Sequence, residues 1–291
     1  MRCQPHLGWI TKLSYHMKKL FFIISLVLLC GMQLYAQESS VKILLNEEER
    51  FRFDGPRLEF FNPGHHILIG DSAGYHMDNA AVHNTFIGHL AGYHNTTGWE
   101  NVFIGDSTGY SNTDGNENVF VGNWTGYSNT GNSNVFIGTY AGVYNTTGYR
   151  NTFVGPTSGA SNTTGFRNTF LGLSSGAYNT TGSYNTYLGR VAGYNNQEGD
   201  SNVFIGNGAG FNEMGSNRLY IANSNTIAPL IYGEFDNNLL KLNGEVRVVD
   251  HDVYVTDPTK GIILKSPNGS CWRLKVSNNG TLITEAIDPC P

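Results

Sequence analysis

The sequence predicts an all-β protein dominated by a parallel β-roll or β-solenoid of about nine coils of 16–17 residues, with a small β-hairpin module at the C-terminal end. Three observations predict it. The pattern Asn-x-aromatic-aliphatic-Gly begins at Asn84, Asn101, Asn118, Asn134, Asn151, Asn168, Asn185 and Asn202, each copy 16 or 17 residues after the last, and Ile67-Leu68-Ile69-Gly70 closes a degenerate earlier copy. Three glycines recur at fixed places in each unit, in rows headed by Gly88, Gly92 and Gly98. The segments between them are too short and too Gly-rich for helices, so each unit can bury apolar residues only by stacking on its neighbours.

The N-terminal region reads as an export signal. Met17-Lys18-Lys19 is a positive start, Leu20 to Leu29 is apolar throughout, and Leu34-Tyr35-Ala36 places a small residue before Gln37. Residues 17–36 are therefore expected to be a signal peptide and residues 1–16 an upstream start-site extension. Cys30 follows Leu29 instead of a small residue, which favours ordinary cleavage over lipid anchoring. The expected location is exported: secreted, extracellular or at the cell surface, with the periplasm also open. No other apolar stretch is long enough to cross a bilayer as a helix. Residues 37–63 form a lead-in expected to cap the first coil, with a strand at Arg50-Phe51-Arg52-Phe53 and a turn at Asp54-Gly55-Pro56.

Residues 64–216 are the repeats. Recurring glycine marks corners, and the segments between corners are expected to be strands that pair in parallel at about 4.8 Å per coil, giving a rigid rod near 40 Å long. Phe86, Phe103, Phe120, Phe136, Phe153, Phe170, Tyr187 and Phe204 form the core column, followed at once by Ile87, Ile104, Val121, Ile137, Val154, Leu171, Leu188 and Ile205. Neighbours in a strand face opposite ways. Either one column packs inside the coil and the other against a second chain, or a bulge turns both inward. The repeated asparagines are read as a structural ladder of amides bonding up and down the stack. Asn95, Asn112, Asn129, Asn145, Asn162, Asn179, Asn195 and Asn212 form a second ladder at a turn.

Residues 217–251 leave the repeat as a closing segment or neck, with strands expected at Leu219-Tyr220-Ile221, Leu230-Ile231-Tyr232-Gly233 and Leu239 to Val249. Residues 252–291 form a three-strand module: Ile262 to Lys265, a turn at Ser266-Pro267-Asn268-Gly269, and a hairpin about Asn278-Asn279-Gly280. Centring that hairpin on Asn279-Gly280 places Cys271 opposite residue 288. Removal of the signal leaves Cys271 and Cys290, an even pair in an exported chain, expected to form a disulfide.

With a net charge of −5 and no basic cluster, nucleic acid is not an expected partner. The sequence has no phosphate loop, zinc His-Glu-x-x-His run, nucleophile elbow or calcium nonapeptide, so no enzyme activity, cofactor or metal site is expected. His65, His66, His76, His83, His89 and His94 read as solvated side chains of the early coils, or as ligands brought together on the axis of a trimer. Tyr75, Tyr93, Tyr110, Tyr127 and Tyr194 follow the second glycine of their units; such a row either contacts glycans, matrix protein or a cell surface, or fills a corner between coils. Thr96, Thr113, Thr130, Thr146, Thr163 and Thr180 form a partial threonine ladder of the kind that orders water in ice-binding solenoids.

Repeated Asn-Thr-Phe-Ile-Gly, Ala-Gly-Tyr and Asn-Thr-Thr-Gly over residues 64–216 resemble the YadA-like head repeats of trimeric autotransporter adhesins. The order of Asp54-Gly55-Pro56-Arg57-Leu58-Glu59, the repeats, Asn217 to Asn223 and the tail from Ile263 to Gly269 is similar to a group of exported Bacteroidetes-type proteins, and similar pieces occur in phage tail-fibre-like proteins. The unit here is longer than the adhesin repeat and carries Phe where that family favours small residues, and nothing after residue 251 resembles the adhesins' translocator. The resemblance implies a homotrimeric β-roll. The expected role is an exported, non-enzymatic structural or adhesion-like protein presenting a rigid surface to host, matrix or cell-surface ligands; the alternatives are a phage tail-fibre-like component and an ice-binding solenoid.

Overall fold

The structure is a computed structural model that describes residues 33–37, 40–45, 48–54, 57–60, 64–78, 80–249, 253, 255–257 and 260–290. Every regular element among the described residues is a strand. The chain divides into two compact units between Asn243 and Gly244.

In the first unit, β1 (Gln33–Gln37), β2 (Ser40–Leu45), β3 (Glu48–Asp54) and β4 (Arg57–Phe60) form an antiparallel meander in a sheet of their own. The Arg50 to Phe53 alternation falls in β3, and Asp54 pairs with Arg57 across the expected turn, whose residues 55–56 lie outside the described residues. Residues 1–32, with most of the expected signal peptide, also lie outside them, while β1 runs across the expected cleavage point after Ala36.

The repeats build a parallel β-solenoid. Strands β5 to β13 are Ile67–Ile69, Thr85–Ile87, Val102–Ile104, Val119–Val121, Val135–Ile137, Thr152–Val154, Thr169–Leu171, Thr186–Leu188 and Val203–Ile205. Each pairs in parallel with its copy in the next coil, so that Phe86 faces Phe103 and Phe103 faces Phe120. β14 (Arg218–Ile221) continues the parallel run, and β15 (Ile231–Glu234) and β16 (Leu239–Leu242) add two antiparallel strands that close a 12-stranded sheet. The strand expected from Leu239 to Val249 stops at Leu242, where Asn243-Gly244 supplies a turn signal.

One expectation needs correction. Each coil holds a single three-residue strand, and its other segments are turns whose N–H groups donate to the next coil, as from Gly92 to the Thr108 carbonyl (2.9 Å) and from His94 to the Tyr110 carbonyl (3.0 Å). Left-handed residues every few positions prevent a second extended run. Gly109 has φ of 60°, and a Cβ there would lie 2.6 Å from the Phe103 ring; Gly105 has φ of 137°, and a Cβ would collide with the carbonyl oxygen of Gly122. Two further left-handed positions carry ordinary residues. Glu100, Glu117, Ser133, Arg150 and Arg167 precede the strand asparagine, while Leu90, Ser107, Trp124, Tyr140 and Val191 lie two residues after the first glycine. These cost backbone energy, and most sharply so at β-branched Val191 and at Thr157 in the same position of an earlier coil.

Phe86, Phe103, Phe120, Phe136, Phe153, Phe170, Tyr187 and Phe204 are wholly buried. Their rings stack from coil to coil with centroids 4.7–4.9 Å apart and planes within 4–7° of parallel. The following aliphatic column faces outward, so the bulge that would turn both columns inward is absent from these strands. The ring stack ends edge-on: Tyr220 meets Phe204 at 82°, and Tyr232 meets Tyr220 at 86°. The Tyr220 hydroxyl donates to Glu213 (2.7 Å), and Arg218 pairs with Asp236 (3.1 Å). At the other end Leu68 continues the column and is 38% exposed.

The first asparagine ladder is buried throughout but does not bond mainly amide to amide. Asn84 Nδ2 donates across its own coil to the Gly98 carbonyl (2.8 Å), and its Oδ1 accepts the backbone N–H of Asn101 (2.9 Å). The same pair of bonds recurs at Asn101, Asn118, Asn134, Asn151, Asn168, Asn185 and Asn202, where the last accepts from Arg218. Amide-to-amide bonds are commoner in the second ladder, as from Asn95 to Asn112 (3.2 Å) and from Asn145 to Asn129 (2.5 Å), while the first ladder has one from Asn118 to Asn101 (3.1 Å). That ladder's expected register slips at its end. Asn196, not Asn195, takes the buried site, Glu213 follows it, and Asn195 bonds Asn212 (2.8 Å) in the neighbouring, more exposed row. Coil length varies because the turn between the second-ladder asparagine and the third glycine loses a residue, as in Asn129-Thr130-Gly131 against Asn95-Thr96-Thr97-Gly98.

The second unit holds β17 (Ile262–Lys265), β18 (Cys271–Val276) and β19 (Leu282–Ile287) in one antiparallel sheet. Cys271 lies opposite Ile287, one residue from the expected register, because the hairpin closes through Ser277 to Thr281 with Gly280 left-handed at φ 81°. Cys271 and Cys290 form the expected disulfide, with Cα atoms 5.4 Å apart. Lys275 (2.6 Å) and Arg273 (3.7 Å) pair with Glu285 across the sheet, and Lys275 above all holds that carboxyl below its ordinary range.

Two outcomes are expected. The Tyr187 hydroxyl is buried, which pushes its pKa up, and its polar neighbour, the Asn202 amide, already donates to the Gly215 carbonyl (2.8 Å), so Tyr187→Phe restores the ring column and should stabilise the solenoid by about 1 kcal/mol in chemical denaturation. Reduction of the disulfide removes about 3 kcal/mol of chain-entropy stabilisation from the small module. Hydrogen exchange should then rise in residues 260–290 and stay unchanged at the Phe column, and free thiols in the purified, unreduced protein would refute the disulfide.

Candidate ligand-binding surfaces

Stacking consumes the Phe, Asn and Gly positions of each coil and leaves three sets of side chains for the surface. The first is the outer face of the strands. Ile104, Ile137, Leu171 and Leu188 are exposed and Ile87, Val121, Val154 and Ile205 half-buried, so one aliphatic row runs unbroken along eight coils. Threonine and valine share the row two residues before it, from Thr85 to Val203.

The second is the corner after the second glycine. Tyr75, Tyr93, Tyr110 and Tyr127 stack face to face at 5.4, 5.3 and 4.9 Å, and Tyr75 is 67% exposed at the end of the stack. The row breaks at Val143, Ala160 and Ala177 and resumes with Tyr194 stacked on Phe211 at 4.8 Å. His76 and His94 stack on each other (5.1 Å) and meet the Tyr93 and Tyr110 rings edge-on, while Trp124 stacks on Tyr127 (4.7 Å). The tyrosines thus pack on one another along the corner while keeping part of each ring open.

The third set was missed in the sequence. It lies after the third glycine, where Trp99, Asn116, Asn132, Tyr149 and Phe166 occupy one row and Glu117, Ser133 and Arg150 the next. Asn116 Oδ1 accepts the Trp99 N–H (3.0 Å), and Asn132 Oδ1 accepts the Asn116 N–H (2.8 Å). Ser133 donates to Glu117 (2.9 Å), Tyr149 stacks on Phe166 (4.9 Å), and the Arg150 guanidinium lies 5.9 Å from the Tyr149 centroid. Trp99, Asn116, Glu117, Asn132, Ser133, Tyr149 and Arg150 line one cleft. The signal was present as a position that alternates aromatic and amide residues, hidden because it is the least regular of the repeat.

The remaining sequence candidates fall outside a common site. Among the described residues no three His, Cys, Asp or Glu side chains come close enough to hold a metal ion. His65 stacks on His83 (5.6 Å) and His89 meets Asp106 (3.2 Å). The hydroxyls of Thr96, Thr130, Thr146, Thr163 and Thr180 donate to the carbonyls of the next coil, so their donors are engaged within the stack and are not offered to water. No helix among the described residues is long and apolar enough to cross a membrane. Compared with protein-family models, curated proteins and solved structures, the chain matches none of them.

His66 has a role that its sequence position disguised. It fills the first-ladder position of the degenerate first coil, where its Nδ1 accepts the Asn84 N–H (3.2 Å) as an Asn Oδ1 does in later coils. Burial holds its pKa below the ordinary 6.5, against a bond to the Ala81 backbone that raises it, and His83 and His65 push it further down. A histidine depressed in the folded state stabilises above its unfolded pKa and loses that contribution as pH falls toward the folded value. Below pH 6.5 the amide of Asn84 should lose exchange protection while those around Phe153 keep theirs, and His66→Asn should remove the dependence.

Proposed function

We propose that the chain is an exported, non-enzymatic, adhesin-like rod that self-associates as a homotrimer and presents its solenoid surface to host, matrix or cell-surface ligands. The observation that carries this reading is the outward aliphatic row, continuous over eight coils with four of its members exposed. A strip of that regularity is the geometry of an interface between copies of one repeat protein, since identical rows meet in register at every coil. The export signal expected at residues 17–36 and the adhesin-like repeats point to a cell surface as its place of work. Aromatic side chains grouped on two other faces supply contact surface for a ligand.

Light scattering on residues 37–291 is expected to give three times the chain mass. Substituting Lys for both Ile137 and Leu171 should yield folded monomers, because each side chain is exposed in the single chain and its loss opens no cavity. A wild-type chain that is folded and monomeric would overturn the trimer. Absence of adhesion to panels of matrix proteins and cells would reduce the role to that of a spacer.

A further inference from the structure

Four consecutive coils contribute to the cleft between Trp99 and Tyr149, whose volume is about 310 Å³. The two aromatic residues stand three coils apart, about 14 Å along the solenoid at one strand spacing per coil. Between them Asn116 and Asn132 form the floor. Each Oδ1 is fixed by a backbone N–H of the preceding coil, so each Nδ2, which makes no hydrogen bond among the described residues, is an oriented donor at the surface. Glu117 accepts one bond from Ser133 and keeps further acceptor capacity.

We propose that this cleft binds a neutral, extended oligosaccharide, with pyranose faces stacked on Trp99 and Tyr149 and hydroxyls bonded to Asn116, Asn132 and Glu117. It rests on the reading of the chain as a surface-binding rod and assigns that reading a site and a ligand class. Sugar rings pair an apolar face with a rim of hydroxyls, and the cleft pairs open rings with amide donors and a carboxylate acceptor. Trp99 is 36% exposed, with ring surface free to be covered. Glu117 and Arg150 carry opposite charges in the same cleft with Ser133 between them, which offers an anionic chain no net attraction. An extended glycan also advances by a step similar to the coil spacing, so successive rings meet successive coils. A peptide could not bind here by strand addition, because the N–H groups of Glu117 (3.0 Å), Ser133 (2.9 Å) and Arg150 (3.0 Å) already donate to the Trp99, Asn116 and Asn132 carbonyls of the preceding coil.

The test uses the purified full chain with cellohexaose, laminarihexaose, chitohexaose and mannohexaose as neutral probes, heparin as an anionic probe and gelatin as a peptide probe. At least one neutral hexasaccharide should bind, and more tightly than its monosaccharide. Trp99→Ala and Tyr149→Ala should each weaken it about tenfold, and Tyr75→Ala should leave it unchanged. Asn132→Asp keeps the oxygen that accepts the Asn116 N–H while removing the outward donor, so it should weaken binding with an unchanged circular dichroism spectrum. Binding of heparin or gelatin alone, no neutral hexasaccharide bound, or affinity indifferent to Trp99→Ala would each overturn the proposal. A trimer that adheres to cells equally well with and without Trp99→Ala would remove the cleft and leave the rod reading standing. Hexasaccharide binding by a monomer, lost on Trp99→Ala, would support the cleft while the trimer fails.

Discussion

The solenoid depends on one side chain doing two jobs in every coil. The first-ladder asparagine closes its own coil by donating to the third glycine's carbonyl and joins the next coil by accepting its backbone N–H. Both groups are buried, where an unmet donor or acceptor costs about 1–3 kcal/mol, so the coil cannot take another path without leaving several polar atoms unpaired. Asparagine has a donor and an acceptor on one short planar group; aspartate lacks the donor, and glutamine would need more room. The left-handed residue just before it follows from the same requirement, since the chain must turn sharply to aim its N–H at the amide below. That backbone cost is accepted even at Tyr184 and Arg167.

What could be read from the sequence was whatever repeats without exception. The Phe column, the outward aliphatic column, the three glycine rows and the first asparagine row each lie where their spacing puts them, because one coil's geometry is imposed on all the others. The single strand per coil was not legible. It is set by left-handed backbone at positions such as Leu90, Trp124 and Val191, whose side chains give no hint of that conformation, and only Gly208 in the last coil marks the position by residue type. The slip from Asn195 to Asn196 went unseen because two adjacent asparagines offer two registers, and hydrogen bonding to the following coil selects between them. The Trp99 to Tyr149 cleft was hidden for a related reason: its members are residues the stack does not prescribe.

That division separates stability from recognition within each coil. Stacked rings, buried amides and glycine corners consume the positions that face inward or approach the next coil, and their contributions add between neighbours as in other repeat proteins. Positions after the second and third glycines are tied to neighbouring coils through their backbones, as the bonds from His94 to Tyr110 and from Arg150 to Asn132 illustrate, and the side-chain bonds they add, such as that of Asn116 to the Trp99 N–H, vary from coil to coil. Side chains there can change without disturbing the ladder beneath them. The early coils carry Tyr and His at one corner, the later ones Val and Ala, and the sheet continues through both in the same register.

The coil of 16 residues between Asn118 and Asn134 sits between neighbours of 17 and keeps the same strand pairing, the same buried amide bonds and the same ring stack. The omitted residue corresponds to exposed Thr97 and Asp114, at a turn where backbone bonds resume on either side. A stack that absorbs a deletion there with its strand register intact has, at one fixed point of its longer rungs, a splice point held by a single backbone bond, as from Thr97 to the Thr113 carbonyl (3.1 Å). A fluorophore-bearing or epitope loop inserted at Thr97, Asp114 or Thr164 would then report height along the fibre in steps of one rung, turning the molecule into a graduated ruler.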